Sequence, residues 1–401
     1  MNPWLTVVGI GEDGVAALAP AARALVAAAE TLVGGARHLA LVPEGRAERI
    51  AWQSPLAATL PEIARRRGRR VVVVASGDPL CYGVGSMLLR EFAPEEIIVY
   101  PAPSAFQLAA ARLKWPLDSC ISISLHGRPL DALRLHLAPG ARILALSADG
   151  ATPAQAAELL RAAGWGPSTL VVLEHMGGPR ERRVEATAAE WCETVADLNL
   201  LAIECRPGPG VRAFSRLAGL PDDAFAHDGQ ITKREIRAVT LAALGPLPGE
   251  LLWDVGAGSG AVAIEWLRAG AAMRAVAVER NPARASLAAQ NAAALGVPEL
   301  EIVCGAAPAA LDGLPAPDAV FVGGGVADPA VFDACWRALK RGGRLVANAV
   351  TLAGEAAALQ LAEAHAGELV RIAVARAEPL GRGRTFRPLL AVTQLVVKKP
   401  P

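Results

Sequence analysis

Short apolar runs alternate with helix-like stretches along almost the whole chain, and this alternation constrains the fold more than any other feature. The runs Trp4–Ile10 and Val71–Ala75 are nearly all apolar, as in strands buried on both faces of a parallel sheet. Strands that alternate with helices predict an α/β fold with mostly parallel strands. Further strands are predicted at Ile97–Tyr100, Ile121–Leu125, Ile143–Leu146, Leu170–Leu173 and Leu198–Glu204, and a helix is predicted to begin at an N-cap, Ser104.

The alternation stops at residues 206–230, which are rich in proline and glycine, and then restarts. This composition is typical of a linker. Because 401 residues exceed the size of one ordinary domain, we predict domains at 1–207 and 228–401, joined by a linker at 208–227. The second domain has predicted strands at Leu251–Val255, Arg274–Glu279, Glu301–Cys304, Ala319–Val322, Gly343–Asn348, Leu369–Ala375 and Arg387–Val397. No helix-sized spacer separates the last two, so the final strand is predicted to be antiparallel.

Composition excludes several classes of protein. The net charge is +1, without the basic excess expected of a nucleic-acid-binding protein. The six cysteines are scattered singly, which argues against zinc sites and disulfides, and we expect no metal site and a reducing cytoplasm. Glu12 and Asp13 do not fit a secretory signal, and the apolar stretch at 15–29 is too short to span a membrane. The sequence leaves open whether the chain forms a homo-oligomer.

A glycine-rich loop opens the second domain. Gly256, Gly258 and Gly260 lie between a predicted buried strand and a helix, where a tight turn lets a ligand approach the backbone. Glu279 ends the next predicted strand, where its carboxylate can accept the hydroxyls of an adenosine ribose. The loop also satisfies the dinucleotide pattern G-x-G-x-x-G/A, but Asp254 and the third glycine favour S-adenosylmethionine (SAM).

The first domain opens with a similar loop. The residues from Gly9 to Gly14 fit G-x-G-x-x-G, yet no predicted strand ends in an acid about 20 residues later, as a dinucleotide site requires. The sequence contains neither a Walker A loop nor H-E-x-x-H. An NAD(P)-dependent oxidoreductase with two Rossmann-like halves stays open as an alternative.

Longer motifs carry a family resemblance. LTVVGIGEDG (5–14), ASGDPLCYGVG (75–85), PAPSAFQLAAARLKWPL (101–117) and SLHGR (124–128) resemble the tetrapyrrole methylases that methylate C-5 of a precorrin in cobalamin biosynthesis. DGQITKREIRAVTLAAL (228–244), WDVGAGSGAVAIEW (253–266), ERNPARASLAAQNAAALGV (279–297), GAAPAAL (305–311) and DAVFVGGG (318–325) resemble the methyltransferases that decarboxylate a precorrin and methylate C-15. One position departs from the first family: Glu12 stands where proline is common.

The resemblance implies a two-lobed tetrapyrrole methylase fold, followed by a Rossmann-like class I SAM methyltransferase domain with an antiparallel C-terminal strand. It implies a bifunctional enzyme that uses SAM at two sites, one per domain. This enzyme would methylate a precorrin-6 intermediate at C-5 and C-15 and decarboxylate the acetate on C-12, giving precorrin-8. No catalytic residue is identified, because the meso carbons of a precorrin are already nucleophilic. A tetrapyrrole carrier without catalytic activity stays open as an alternative.

The resemblance also implies site residues. The first SAM site would use Gly9, Gly11, Gly77, Asp78, Pro79 and Gly83. The second would use Thr232, Gly256, Ala257, Gly258, Ser259, Gly260, Glu279, Gly305 and Ala306, and the hydroxyl of Thr232 is equally suited to cap the following helix. Cations suited to the carboxylates of a precorrin are Arg128, Lys233, Arg234 and Arg237, and candidate proton carriers are His227 and Asp228.

Overall fold

The computed structural model describes residues 3–401, which form two compact units. The first unit comprises the chain up to Leu130 together with Ala138–Arg212, and the second comprises Asp131–Leu137 together with Ala213–Pro401. Within residues 3–401, no helix is both long and apolar enough to cross a membrane.

A parallel sheet forms the first lobe of the first unit. Its strands lie in the order β3-β2-β4-β1-β5, and every neighbouring pair is parallel. Alternate residues of β1 face opposite sides, so that Leu5 and Val7 enter one apolar cluster while Val8 and Ile10 enter another. The elements are β1 (Leu5–Ile10), α1 (Pro20–Ala27), β2 (Thr31–Gly34), α2 (Ala36–Ala40), β3 (Glu48–Ala51), α3 (Leu60–Ala64), β4 (Val71–Ser76), α4 (Gly85–Glu91) and β5 (Ile97–Tyr100).

A second sheet forms the other lobe, in the order β6-β7-β10-β8-β9. Only β6 and β7 are parallel here, so the predicted mostly parallel arrangement does not hold for this lobe. The helix that precedes it begins as predicted, because the Ser104 side chain accepts a hydrogen bond from the Gln107 N–H at 3.3 Å. The elements are α5 (Ala105–Leu113), β6 (Cys120–Ser124), β7 (Arg142–Leu146), α6 (Thr152–Ala162), β8 (Thr169–Glu174), β9 (Arg182–Thr187) and β10 (Asn199–Glu204).

The second unit contains a seven-stranded sheet with helices on both faces. The strand order is β13-β12-β11-β14-β15-β19-β16, and β19 runs antiparallel to both neighbours, as predicted. Helices α7 to α9 pack on one face, and α10 and α11 pack on the other. The elements are α7 (Arg234–Leu244), β11 (Leu251–Val255), α8 (Ala261–Ala269), β12 (Arg274–Glu279), α9 (Pro282–Ala294), β13 (Glu301–Cys304), β14 (Ala319–Val322), α10 (Pro329–Ala338), β15 (Arg344–Ala349), α11 (Leu352–His365), β16 (Glu368–Ile372) and β19 (Val392–Lys398).

The C-terminal end departs from the sequence prediction. Two long strands were expected at Leu369–Ala375 and Arg387–Val397, but the structure has four. A separate hairpin, β17 (Ala375–Leu380) with β18 (Gly383–Pro388), lies between β16 and β19. Phe386 of this hairpin is 74% exposed, so the apolar pattern that usually reveals a strand is missing.

Part of the segment predicted as a linker is packed. From Ala213 onward it belongs to the second unit, where Leu220 and Phe225 are buried in the apolar core. Helix α7 holds this segment through Arg237, which donates hydrogen bonds to the Leu220 carbonyl and to Asp222. The predicted domain boundaries themselves stay a proposal, and the contacts place the division between the two units at residues 212–213.

Candidate active sites

The glycine loop of the second unit follows β11, as predicted. Gly256, Gly258 and Gly260 have φ values of +76°, +57° and +77°, which side chains other than glycine rarely adopt. The Gly256 and Ala257 N–H groups donate to the Val278 carbonyl of β12 at 2.9 and 3.1 Å. The loop therefore turns tightly around the carboxyl ends of two parallel strands, where open α/β sheets bind ligands.

Glu279 ends β12 and is 5% exposed. Its Oε2 accepts the Gly258 N–H at 2.8 Å, and its Oε1 accepts the Asn281 N–H at 2.8 Å. Each carboxylate oxygen keeps accepting capacity beyond these bonds. The side chain is thus fixed against the glycine loop, with both oxygens able to receive a further donor. Gly305 lies beside it, donating its N–H to the Glu279 carbonyl at 3.0 Å, and is followed by the exposed Ala306.

Asp254, near the end of β11, connects that strand to the helix that follows the glycine loop. It is 1% exposed, and its Oδ2 accepts the Ala263 N–H of α8 at 3.0 Å, so it caps the start of that helix. Burial raises the pKa of Asp254 to about 7, although the bond from Ala263 opposes this shift. Its Oδ1 and the Ser259 Oγ are buried without a partner among residues 3–401. Two unpaired polar atoms beside the loop are consistent with a polar ligand there.

The segment before α7 lies against the glycine loop. The Asn291 amide of α9 donates to the carbonyls of Ala226 and Ser259, at 2.9 and 3.0 Å, and its Oδ1 accepts the Ala226 N–H at 2.8 Å. A side chain on Gly258 would meet the Gln230 carbonyl at 3.8 Å. This bridge holds the start of the DGQITK motif next to the predicted SAM loop, a role for Asn291 that no sequence spacing revealed.

The predicted polar residues of this segment have mixed outcomes. Thr232 does not cap α7, because the N-cap is Lys233 and the Thr232 carbonyl instead accepts a bond from Arg237. Arg237 is fully buried and bonds Glu265 at 2.6 Å, so it is not a free cation for a substrate. Asp228 pairs with Arg284 at 2.8 Å, and His227 accepts the Gly229 N–H at 3.0 Å. Lys233 is half-buried and Arg234 is exposed.

A cleft of about 830 Å³ lies in the first unit, between its two sheets. The predicted residues Gly11, Gly77, Asp78 and Gly83 line it. Arg128, the predicted substrate cation, also lines it and lies over the Tyr82 ring at 5.4 Å. Gly9 and Pro79 are not among the lining residues.

Gly9 and Pro79 instead shape the loops of the cleft. A side chain on Gly9 would overlap the Gly77 carbonyl, because the β1 and β4 ends approach closely. A side chain on Gly83 would come within 2.5 Å of the Pro79 carbonyl. Gly77 itself has φ +52°, and the Asp78 Oδ1 accepts the Leu80 N–H at 2.9 Å, which stabilises the turn.

The first glycine loop lacks the acid of a dinucleotide site. The strand that would carry it, β2, ends at Gly34, and Glu30 precedes that strand. The Glu30 Oε2 accepts the Arg70 N–H at 2.9 Å. The structure therefore agrees with the doubt that the sequence raised about this G-x-G-x-x-G match.

Sequence reasoning missed a polar cluster in the cleft. Glu12 forms an ion pair with Arg37 and lies 3.3 Å from the His175 Nδ1. Burial raises the pKa of Glu12, but the hydrogen bonds and charges of Arg37 and His175 together lower it by more. The pKa of Glu12 therefore lies below its ordinary value. The His38 Nε2 lies 2.7 Å from both the Arg37 Nη2 and the Ser76 Oγ. All five residues line the cleft.

Comparison with known proteins finds a methylase or methyltransferase family for each of the two units. Residues 5–192 match the tetrapyrrole (corrin/porphyrin) methylase family, and residues 223–399 match the precorrin methyltransferase domain. With the inserted antiparallel strand β19 and the glycine loop after β11, these matches define a SAM-dependent methyltransferase.

Similar full-length proteins identify the particular methyltransferase family. The precorrin-6Y C(5,15)-methyltransferase [decarboxylating] of Sinorhizobium sp. is 50% identical over 398 residues, covering 98% of this chain and 96% of the relative. The protein of the same name from Mycobacterium tuberculosis (strain CDC 1551) is 43% identical, covering 98% and 100%. The chain belongs to the family of decarboxylating precorrin-6Y C(5,15)-methyltransferases. The solved C-terminal domain of the Rhodobacter capsulatus member is 48% identical, covering 46% of this chain and all of that one, with a TM-score of 0.44.

Proposed function

We propose that this chain methylates a precorrin-6 intermediate at C-5 and C-15 and decarboxylates the acetate on C-12, giving precorrin-8 in cobalamin biosynthesis. The first unit carries the C-5 methylation, and the second carries the decarboxylation and the C-15 methylation. The observation that supports this division is that each unit has its own glycine turn at the carboxyl end of a parallel strand. One turn lies beside the cleft and the other beside Glu279.

Each unit holds one SAM in this proposal, and bound SAM supplies an electrophilic methyl group. In the second unit the ribose hydroxyls donate to Glu279, whose oxygens are already oriented by Gly258 and Asn281. The SAM site is also lined by the other residues of the glycine loop and by Gly305 and Ala306. Thr232 contributes to it from the segment before α7. In the first unit Gly11, Gly77, Asp78 and Gly83 contact SAM, while Gly9 and Pro79 keep the loops in shape.

Substrate binding relies on cations and apolar walls. A precorrin carries many carboxylates, and Arg128 in the cleft and Lys233 and Arg234 in the second unit have no ion pair within residues 3–401 that would compete for them. Apolar side chains such as Phe106 and Met176 line the cleft, where they exclude water from the reacting carbon. The chain's task is to orient a carbon that is already nucleophilic. In the second unit, electrons released by loss of CO₂ enter the conjugated ring and make C-15 nucleophilic.

Mass spectrometry of precorrin-6B incubated with the protein and SAM tests this proposal. We expect a product that has gained two methyl groups and lost one CO₂, with two S-adenosylhomocysteine molecules released per tetrapyrrole. A carrier would bind the tetrapyrrole and release no S-adenosylhomocysteine. An oxidoreductase would bind NADH rather than SAM in calorimetry, and either result would refute the proposal.

A further inference from the structure

Two residues from different lobes of the first unit meet in its cleft. Glu12 follows β1, and His175 follows β8, 163 residues later in the chain. The Glu12 Oε2 lies 3.3 Å from the His175 Nδ1, and both side chains are 12% exposed. His175 has φ +47°, and a side chain on Gly178 in the same turn would come within 2.7 Å of the Glu12 Cβ. An uncommon backbone conformation and a required glycine thus hold this contact in place.

The protonation of the pair follows from its partners. Glu12 also forms an ion pair with Arg37 through Oε1, which keeps its carboxylate ionised. An ionised carboxylate only accepts hydrogen bonds, so the His175 Nδ1 must carry the proton and donate it. In neutral imidazole the other nitrogen, Nε2, then holds a lone pair. Within residues 3–401 nothing hydrogen-bonds this Nε2, and His175 lines the cleft.

The other histidines of the cleft are less suited to accept a proton. The Nε2 of His38 is occupied by Arg37 and Ser76, and burial, with the charge of Arg37, lowers the pKa of His38 to about 4. His126 is exposed and has no carboxylate partner within residues 3–401. Among the three histidines that line the cleft in the described part of the chain, His175 alone combines a free ring nitrogen with an oriented carboxylate, an arrangement that suits a general base.

Methylation of C-5 releases a proton that a base in the cleft can accept. The bond from C-5 to the methyl carbon forms, and the bond from sulfur to that carbon breaks with its electron pair going to sulfur. Because a methyl group replaces hydrogen on C-5, one proton leaves the tetrapyrrole and its bonding pair returns to the conjugated ring. We propose that the His175 Nε2 accepts this proton and that Glu12 is a positioning residue that orients the imidazole and stabilises the imidazolium; this inference rests on the proposed function of the first unit.

Variants of the full-length protein test this assignment. His175→Asn keeps a residue that tolerates left-handed backbone, and we expect it to slow C-5 methylation by about 10²- to 10⁴-fold. Glu12→Gln should slow it by about 10- to 100-fold. Residues that act as one unit are not additive, so the double variant should be no slower than His175→Asn alone. C-15 methylation in the same chain and the exposed-site variant Glu44→Gln are controls that should stay at the wild-type rate.

A second measurement needs neither SAM nor substrate. ¹⁵N NMR of the wild-type protein should show that the proton of the neutral His175 imidazole is on Nδ1. A proton on Nε2 would overturn the proposal, even if His175→Asn failed to fold. Wild-type C-5 methylation in His175→Asn, or losses that multiply in the double variant, would also overturn it. A wild-type protein that never methylates C-5 would instead refute the proposed function.

Discussion

The segment before α7 should decide whether the second unit folds as an isolated fragment. Fully buried Arg237 bonds Glu265 and the Leu220 carbonyl, and Glu265 accepts the N–H groups of Gly219 and Leu220 at 2.7 and 2.9 Å. A fragment of residues 213–401 keeps all these partners, whereas a fragment of residues 228–401 keeps only the Arg237–Glu265 pair. We therefore expect that a fragment with the predicted domain bounds 228–401 does not fold stably on its own.

The size of the effect follows from burial and bonding. Leu220 and Phe225 are 3% and 4% exposed, and burying each side chain contributes about 1.5–3 kcal/mol. Each lost hydrogen bond to a charged group costs about 1.5–3 kcal/mol, and the buried Arg237–Glu265 pair loses its bonds to Gly219 and Leu220. The combined loss is comparable to the whole unfolding free energy of a domain, about 5–15 kcal/mol. Both fragments lack residues 131–137, so that loss cancels in the comparison.

Urea unfolding followed by tryptophan fluorescence measures this difference, since Trp266 is fully buried in the second unit. The longer fragment should unfold in one cooperative transition, and the shorter one should be insoluble or show no transition. Within the longer fragment, Leu220→Ala should cost about 2–5 kcal/mol. Leu217→Ala, in the same segment but 80% exposed, should cost no more than about 0.5 kcal/mol. Equal urea midpoints for the two fragments would refute the reasoning.

Three further predictions concern the two sites. Gly77→Val should abolish C-5 methylation but leave C-15 methylation, measured by product mass, because Gly77 has φ +52° and its side chain would come within 2.9 Å of the Pro103 carbonyl. Glu279→Ala should weaken SAM binding in calorimetry of the 213–401 fragment by about 10- to 150-fold, with the exposed-site variant Glu301→Ala unchanged. The pKa of Asp254 is raised on folding to about 7, so its stabilising contribution is complete below its unfolded value of 3.8 and is lost as pH rises through the folded one. In urea unfolding, Asp254→Asn should therefore gain stability relative to wild type between about pH 4 and pH 7, by up to about 1.4 kcal/mol per pH unit; a constant difference would contradict this.

The sequence predicts strands well where both faces of a sheet are covered. The apolar runs at β1, β4, β11 and β14 stand out because residues on both faces of each strand are buried, with the single exception of Ser76 at the end of β4. The strands that were missed lack this signal. In β3 only Ile50 is buried, and in β18 no residue is. Exposed or edge strands carry polar residues on both sides, so no period distinguishes them from loops.

The candidate sites divide in the same way. Glu279 was recognisable because it ends the strand after a glycine loop, and strand ends at one edge of a parallel sheet lie together. Its role in binding SAM stays a prediction. Asn291 and the Glu12–His175 contact had no such signal, because their partners are 32 to 163 residues away. Contacts of this kind depend on tertiary packing, which local spacing does not encode.

The two glycine loops show why the same letters have different meanings. Gly256 and Gly258 have positive φ values, so glycine is required there by the backbone conformation itself. Gly9 has no positive φ and is required because the Gly77 carbonyl occupies the space of a side chain. The first loop thus allows the ends of β1 and β4 to lie close together beside the cleft. The second loop forms a tight turn that is fixed by a hydrogen bond to the Glu279 carboxylate. A G-x-G pattern therefore indicates that the backbone lies too close to a neighbouring group to leave room for side chains. The residues at the neighbouring strand ends show whether that group is a ligand or another loop.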